Sequence, residues 1–293
     1  MDRKKMKALA IKLALEAGKL QAKKFRGLLN IQWKGVTDPV TEVDQACEKL
    51  IVKGIRKAFP SHAIVGEEGG AQGQSTASAP YTWIIDPLDG TVNYSHGSPI
   101  FAVSIGIWES PSARSKKPTS LRAGSRLYDA HYGWPLIGVV HAPVLGETYV
   151  AERGQGATLN GKPIKVSRQA KPLEAVLASG FSYKARETGE NVREWMEMLT
   201  RFQAIRRMGS AALDLSFVAA GRFDGFWEYG LKAWDVAAAG LLVEEAGGVV
   251  TNIQGRPYQL GKPGIVASNG KLQGPLLRGL DKALSRRLQW PPR

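Results

Sequence analysis

The sequence predicts an α/β fold, an α+β layered sandwich in which helices alternate with mixed β-sheets. Three observations carry this. Helical and strand periodicities interleave in both halves of the 293 residues. At 43% hydrophobic residues, a chain of that length buries a large core, as one big domain or as two intimately packed halves. The one cysteine, Cys47, excludes an internal disulfide framework and fits a reducing compartment.

Met6, Leu9, Leu13, Ala17 and Leu20 recur at helical spacing between lysines and predict an opening amphipathic helix. A second helix is expected from Asp44 to Ala58, stopped at Phe59-Pro60. Apolar stretches at Ala63-Val65, Ile84-Ile85, Phe101-Trp108, Leu136-Val140 and Thr148-Val150 read as strands. In the second half, strands are expected at Ala175-Ser179, Ala204-Met208, Gly225-Tyr229 and Val249-Thr251. Helices are expected at Ser210-Ala220 and Val236-Ala246, the latter closed by Gly247-Gly248. No internal repeat is found. The expected division is an N-terminal α+β half (1–170) and a C-terminal α/β half (171–293), packed as one compact unit.

Asp2 and Glu16 interrupt the N-terminus, which does not read as a signal peptide, and no apolar run reaches membrane-spanning length. A soluble, cytoplasmic protein with no membrane contact is therefore expected. Forty Lys and Arg against 26 Asp and Glu give a net charge of +14. Such a field favours anionic ligands and weak, salt-sensitive contact with nucleic acid, or is simply a basic solvated surface. The segment from Glu109 to Gly133, rich in Ser, Pro, Lys and Arg, separates two strands that a short hairpin could join. It is expected to be a mobile surface loop carrying Arg114, Lys116, Lys117, Arg122 and Arg126.

The candidate chemistry centres on Asp86-Pro87-Leu88-Asp89-Gly90-Thr91, which follows the strand Tyr81–Ile85. Pro87 bends the chain so that Asp89 points back beside Asp86, and two carboxylates so placed repel unless a cation joins them. Oxygen ligands at that density, with the Leu88 carbonyl between them, suit Mg²⁺ or a similar ion. Gly90 and Thr91 offer backbone and hydroxyl to a phosphate. An ordinary turn is the competing reading. Three helix starts, at Asp44, Ser210 and Asp235, and the strand-end pair Glu67-Glu68 add further candidates. Each alone also reads as a cap or a solvated loop. No Cys/His or Ser/His/Asp arrangement suggests a protein nucleophile.

Together these stretches resemble the inositol monophosphatase family, within the Mg²⁺-dependent, lithium-sensitive sugar phosphatases. The resemblance rests on Trp83-Ile84-Ile85-Asp86-Pro87-Leu88-Asp89-Gly90-Thr91-Val92-Asn93-Tyr94 and on Trp234-Asp235-Val236-Ala237-Ala238-Ala239-Gly240, with Glu244-Glu245-Ala246-Gly247-Gly248 downstream. Gly66-Glu67-Glu68 and Thr41-x-x-Asp44 preceded by Asp38 extend it to nearly the whole chain. It implies a fold like that of inositol monophosphatase and fructose-1,6-bisphosphatase, and two or three Mg²⁺ ions. Glu67, Asp86, the Leu88 carbonyl, Asp89 and Asp235 are implied as metal ligands. Asp44 is implied to assist a weaker ion or, with Thr91, to orient and deprotonate the attacking water. Gly90 and Thr91 are implied phosphate contacts, and Ala211 and Glu228 line the polyol side. Lys232 fits the bacterial pattern, and the Ser110–Arg126 loop is longer than the family's usual tight turn.

The implied activity is hydrolysis of myo-inositol monophosphate, first among relatives that take fructose 1,6-bisphosphate, histidinol phosphate or adenosine 3′,5′-bisphosphate. The implied partners are a small phosphorylated polyol or sugar and a second subunit in a homodimer. A role of another class, in antitermination with RNA or RNA polymerase, is implied by the bacterial relatives.

Overall fold

The opening amphipathic pattern folds as α1 (Asp2–Lys24), which buries Met6, Ala10, Leu13, Ala14 and Ala17 and leaves most of its lysines outside. The computed structural model describes residues 2–35, 39–73, 75–76, 78–111 and 127–285. Asp38 and the five cations of the Ser/Pro-rich segment, Arg114, Lys116, Lys117, Arg122 and Arg126, lie outside the described residues. After α1 comes a short hairpin, β1 (Ile31–Trp33) and β2 (Pro39–Thr41), then α2 (Glu42–Ala58). Next come β3 (Ala63–Gly66), β4 (Gly70–Gly73), β5 (Tyr81–Asp89) and the short α3 (Thr91–Ser95). β6 (Ala102–Glu109), β7 (Trp134–Ala142), β8 (Glu147–Glu152), β9 (Gly156–Leu159) and β10 (Lys162–Ile164) complete the large sheet.

The remaining elements are β11 (Val176–Ser179), α4 (Ala185–Thr188), α5 (Val192–Leu199), β12 (Ala204–Arg206), α6 (Ala211–Ala219) and β13 (Gly225–Glu228). They are followed by α7 (Ala233–Val236), α8 (Ala239–Glu245), β14 (Val249–Asn252), β15 (Ile265–Ser268) and α9 (Gln273–Leu284). Among the described residues no helix is long and apolar enough to cross a membrane.

Among the described residues the large sheet has eight strands in the order β10-β9-β8-β7-β6-β5-β3-β4, antiparallel except where β3 runs parallel to β5. The second sheet has five, β12-β11-β13-β15-β14, with β11 parallel to both its neighbours. Both sheets are mixed and helices cover their faces, as the layered-sandwich expectation requires. In β6, Val103, Ile105 and Ile107 pack toward α1 and α2, whereas Ala102 and Trp108 join the core around α6 and α8. This explains the near-continuous apolar run at 101–108, because a strand covered on both faces loses the polar alternation of a half-exposed one. α5 and α9 cover the outer face of the second sheet around Met198, Trp227 and Leu276.

Two sequence expectations are corrected here. The helix expected over Val236–Ala246 is broken into α7 and α8 at Ala237-Ala238. At that break the backbone presses on the large sheet so closely that a Cβ at Gly138 would clash with the Ala238 carbonyl oxygen. The Ala237 carbonyl accepts the Trp108 indole N–H at 3.1 Å, so the break leaves that polar group paired. The strand expected over Ala204–Met208 ends at Arg206. Arg207 and Met208 leave the ladder, and Gly209 turns at φ +84° into α6.

Candidate active site

The site forms where β5 loses its register. Pairing with β6 holds through Asp86↔Ser104 and returns only at Asp89↔Ala102. Asp86 therefore sits before a bulge inside β5 rather than at the end of the strand, because Pro87 has no N–H for the ladder. Gln21 of α1 donates to the Pro87 carbonyl at 2.7 Å, and the Leu88 N–H donates to Asp86 Oδ1 at 3.0 Å. The chain then turns at Gly90 (φ +93°), where a Cβ would meet the Ile100 carbonyl oxygen at 2.9 Å. A glycine is required there on both counts.

Neighbouring elements bring the other acids to this turn. β3 ends alongside β5, and the Glu67 N–H donates to the Ile85 carbonyl at 3.2 Å, which sets Glu67 beside Asp86. α7 delivers Asp235, whose Oδ2 accepts the Lys232 N–H at 2.7 Å. Asp89 Oδ2 accepts the Ser210 hydroxyl at 2.5 Å and the Ala212 N–H at 2.7 Å. The start of α6 thus holds this chain's own carboxylate. Asn93 donates to the carbonyls of Ile100 and Met208, tying the turn to the second half of the chain.

Glu67, Asp86, Leu88, Asp89, Gly90, Thr91, Ala211, Glu228 and Asp235 all line one cavity of about 530 Å³, with Lys34, Arg207 and Lys232 as its cations. Asp44 does not line it. It is buried behind Thr91, whose hydroxyl lies 2.9 Å from Asp44 Oδ1 and 3.0 Å from the Leu88 carbonyl oxygen. Asp44 Oδ2 accepts the N–H and hydroxyl of Thr41, completing the capping box of α2. The cap reading and a link to the cavity through Thr91 are therefore both true of this residue.

The carboxylates are strongly perturbed. Burial, reinforced by Glu67, Asp89 and Asp235, pushes Asp86 well above the ordinary carboxyl range. Burial and the charge of Asp89 push Asp235 well up too, against the Lys232 hydrogen bond. Asp89 is pushed by burial to about 6, held there by Ser210, the α6 N–H groups and Arg207. Glu67 is pushed by burial to about 7, restrained by Lys34. Glu228 is pushed by burial to about 8.

Mutually repelling carboxylates with a backbone carbonyl, and no His or Cys among the described lining residues, form a hard-oxygen donor set. Such a set fits a divalent cation of the Mg²⁺ type, whose charge would offset the repulsion that raises these groups. Among the described residues no three His, Cys, Asp or Glu side chains are drawn into a closed metal-binding group. Glu67 Oε1 is instead engaged by the Lys34 ammonium at 3.0 Å.

Besides Lys34, three residues at or behind the site escape sequence reasoning. Glu48 accepts the N–H groups of Glu68 (2.9 Å) and Gly69 (2.7 Å), so α2 holds the turn that presents Glu67. Its signal was its place four residues after Asp44 on the buried face of α2. Asp214 is buried on α6, its Oδ1 has no hydrogen-bond partner among the described residues, and burial and Glu228 push it well up. Arg207 brings a guanidinium to the side of the cavity shared by Glu228 and Ala211.

The sequence pattern of the inositol monophosphatase family matches residues 2–114 and 129–285, and the internal gap between the two matched stretches falls within the Ser/Pro-rich segment. The chain is 42% identical over 269 residues to the Nus factor SuhB of Pseudomonas aeruginosa, covering 90% of this chain and 91% of that protein. It is 36% identical over 291 residues to an inositol-1-monophosphatase of Mesorhizobium japonicum, covering 98% of this chain and all (100%) of that one. Among solved structures, the inositol monophosphatase of Anabaena superposes with a TM-score of 0.81 at 36% identity, over 96% of this chain and 97% of the other.

Proposed function

The chain belongs to the inositol monophosphatase family and is a phosphoric monoester hydrolase, and from that premise we propose that it hydrolyses myo-inositol monophosphate to inositol and phosphate with Mg²⁺. The observation that carries the metal dependence is the set Glu67, Asp86, Asp89 and Asp235, with Asp86 buried and the other three half-buried around one cavity, all driven upward by desolvation, to which mutual repulsion adds at Asp86 and Asp235. These four and the Leu88 carbonyl would hold the ions. Bound divalent cations supply positive charge to the phosphoryl oxygens and lower the pKa of water.

The chain's own groups do the rest. Gly90 and Thr91, at the start of α3, face the phosphate. The Thr91 hydroxyl holds the attacking water, and its Asp44 partner at 2.9 Å accepts the proton released. Ala211 and Glu228 line the same cavity, and Glu228 accepts hydrogen bonds from polyol hydroxyls. Around the cavity five carboxylates face three cations. With those carboxylates ionised, two divalent cations leave a charge that one phosphate dianion balances. This favours a monophosphate over fructose 1,6-bisphosphate or adenosine 3′,5′-bisphosphate, while histidinol phosphate is separated by its amine, for which no dedicated acid is left over.

The test is phosphate release across polyol, sugar and nucleotide phosphates, before and after metal stripping. Inositol monophosphate is expected to turn over fastest, and only with Mg²⁺. Full turnover after chelation, or a tenfold preference for a bisphosphate, contradicts the proposal. A second role, as a Nus factor, is favoured by the exposed Lys4, Lys12, Lys19, Lys23, Lys49 and Lys53 on α1 and α2. It is tested by pull-down of RNA polymerase at rising salt, where retention should fall steeply.

A further inference from the structure

Lys34 stands just beyond β1, and its ammonium lies 3.0 Å from Glu67 Oε1 and 2.5 Å from Glu68 Oε1. It also lines the cavity with Asp86, Asp89 and Asp235. One Glu67 oxygen therefore already has a cation, supplied by the chain. A divalent cation bound to the same carboxylate would sit about 2.0–2.1 Å from an oxygen. An ammonium held within hydrogen-bonding distance of that carboxylate is then repelled, and the two cations compete.

β1 is built to give way. Ile31, Gln32 and Trp33 are all exposed, and among the described residues β1 pairs only with β2 and neither Ile31 nor Trp33 joins a core cluster. Glu68, whose N–H is fixed by Glu48, remains as a second acceptor for the ammonium. Lys34 can thus shift along the cavity wall without losing every partner. Its neighbour β2 is fully buried and stays anchored through Thr41 and Asp44.

We infer that Lys34 is an internal counter-ion which a divalent cation must displace from Glu67, so that filling the cavity shifts β1 and frees the ammonium for the phosphoryl oxygens of the substrate. Lys34 is in this sense a positioning residue that couples metal occupancy to the cavity mouth. The inference rests on the metal-dependent reading of the site.

The experiment is calorimetric titration of MgCl2 into the metal-free full chain, as wild type, Lys34→Met and Lys34→Arg. Removing the competitor should tighten the first Mg²⁺ site about fivefold in Lys34→Met, the factor supplied by an ion pair near the upper end for partly exposed charges. Lys34→Arg, which keeps the competing charge, should bind as wild type does. Trp33 adjoins Lys34 and is 63% exposed, so its emission reports on β1. Taken as the difference from Trp33→Phe, it should change on Mg²⁺ binding in wild type and not in Lys34→Met. Equal or weaker Mg²⁺ affinity in Lys34→Met, or a silent Trp33 in wild type, overturns the inference while leaving the metal site intact. No Mg²⁺ binding by wild type overturns both.

Discussion

Glu109 and Asp86 are both buried carboxylates on adjacent strands of the large sheet, yet they are handled in opposite ways. Glu109 Oε2 accepts the Arg153 guanidinium at 2.6 Å, with Arg153 fully buried and also donating to the Pro135 carbonyl at 3.0 Å. That charge is balanced inside the fold. Asp86 has a single backbone N–H on Oδ1, and its charged neighbours Glu67, Asp89 and Asp235 all repel it. The pair that is balanced closes the sheet. The group that is not balanced faces a cavity, and the physical demand it makes, a cation from outside, is what the proposed metal role rests on.

The comparison breaks most visibly on Asp89→Asn. Hydrolysis should fall about 10³-fold or more, because a charge that activates water and neutralises phosphate is lost with its ion. The metal-free variant should melt no lower than wild type, since a repelling charge has gone. Scanning calorimetry beside phosphate release checks both halves. Glu109→Gln should do the reverse. Removing the carboxylate opposite a buried guanidinium should cost about 3–5 kcal/mol of stability in urea unfolding, with Mg²⁺ affinity unchanged.

Glu48→Gln sharpens the contrast at the edge of the site. Glu48 never meets the cavity, but it fixes the Glu68 and Gly69 N–H groups that present Glu67. Mg²⁺ affinity should weaken about tenfold, at the low end for outer-shell partners, because the amide still accepts one bond. An unchanged affinity would show that Glu67 is held without it.

The smallest effect is a pH slope. Glu67 and Glu228 are raised from 4.5 to about 7 and about 8 in the folded chain, so the folded state holds protons that the unfolded state has released. Their contribution to stability is complete below pH 4.5 and is lost as pH rises through 7 to 8. The metal-free protein should therefore lose several °C of Tm between pH 5 and pH 8. Saturating Mg²⁺ should flatten that slope, and a Tm that rises over the same window would contradict the assignment.

What was legible in the sequence was local. Asp86, Leu88, Asp89, Gly90 and Thr91 are contiguous, so a proline and a glycine announce how their side chains and carbonyls converge. Asp235 and Glu67 were legible as acids at element ends, and the layered fold followed from interleaved periodicities. The rest depends on tertiary approach. Glu48 and Lys34 reach the Glu67-Glu68 turn from elsewhere in the chain, and Arg207 reaches the cavity only because β12 stops at Arg206. The break between α7 and α8 is set by close contact with Gly106 and Gly138 of the sheet, which helix periodicity cannot register. β1 was missed because its three exposed residues carry no pattern.

We propose that the cavity acids are poised for a cation rather than for one another. This is tested most directly by counting protons released when Mg²⁺ binds the metal-free protein, from calorimetry in buffers of different ionisation enthalpy. With Asp89 raised to about 6, Glu67 to about 7 and Asp86 and Asp235 well above the ordinary carboxyl range, binding at pH 6 must expel protons that the carboxylates hold. Release of about one proton or more per ion is expected at pH 6, falling as the pH is raised to 9 and lost together with binding in Asp89→Asn. Tight binding with no proton release at pH 6, or release that survives Asp89→Asn unchanged, would place the cation elsewhere in the molecule.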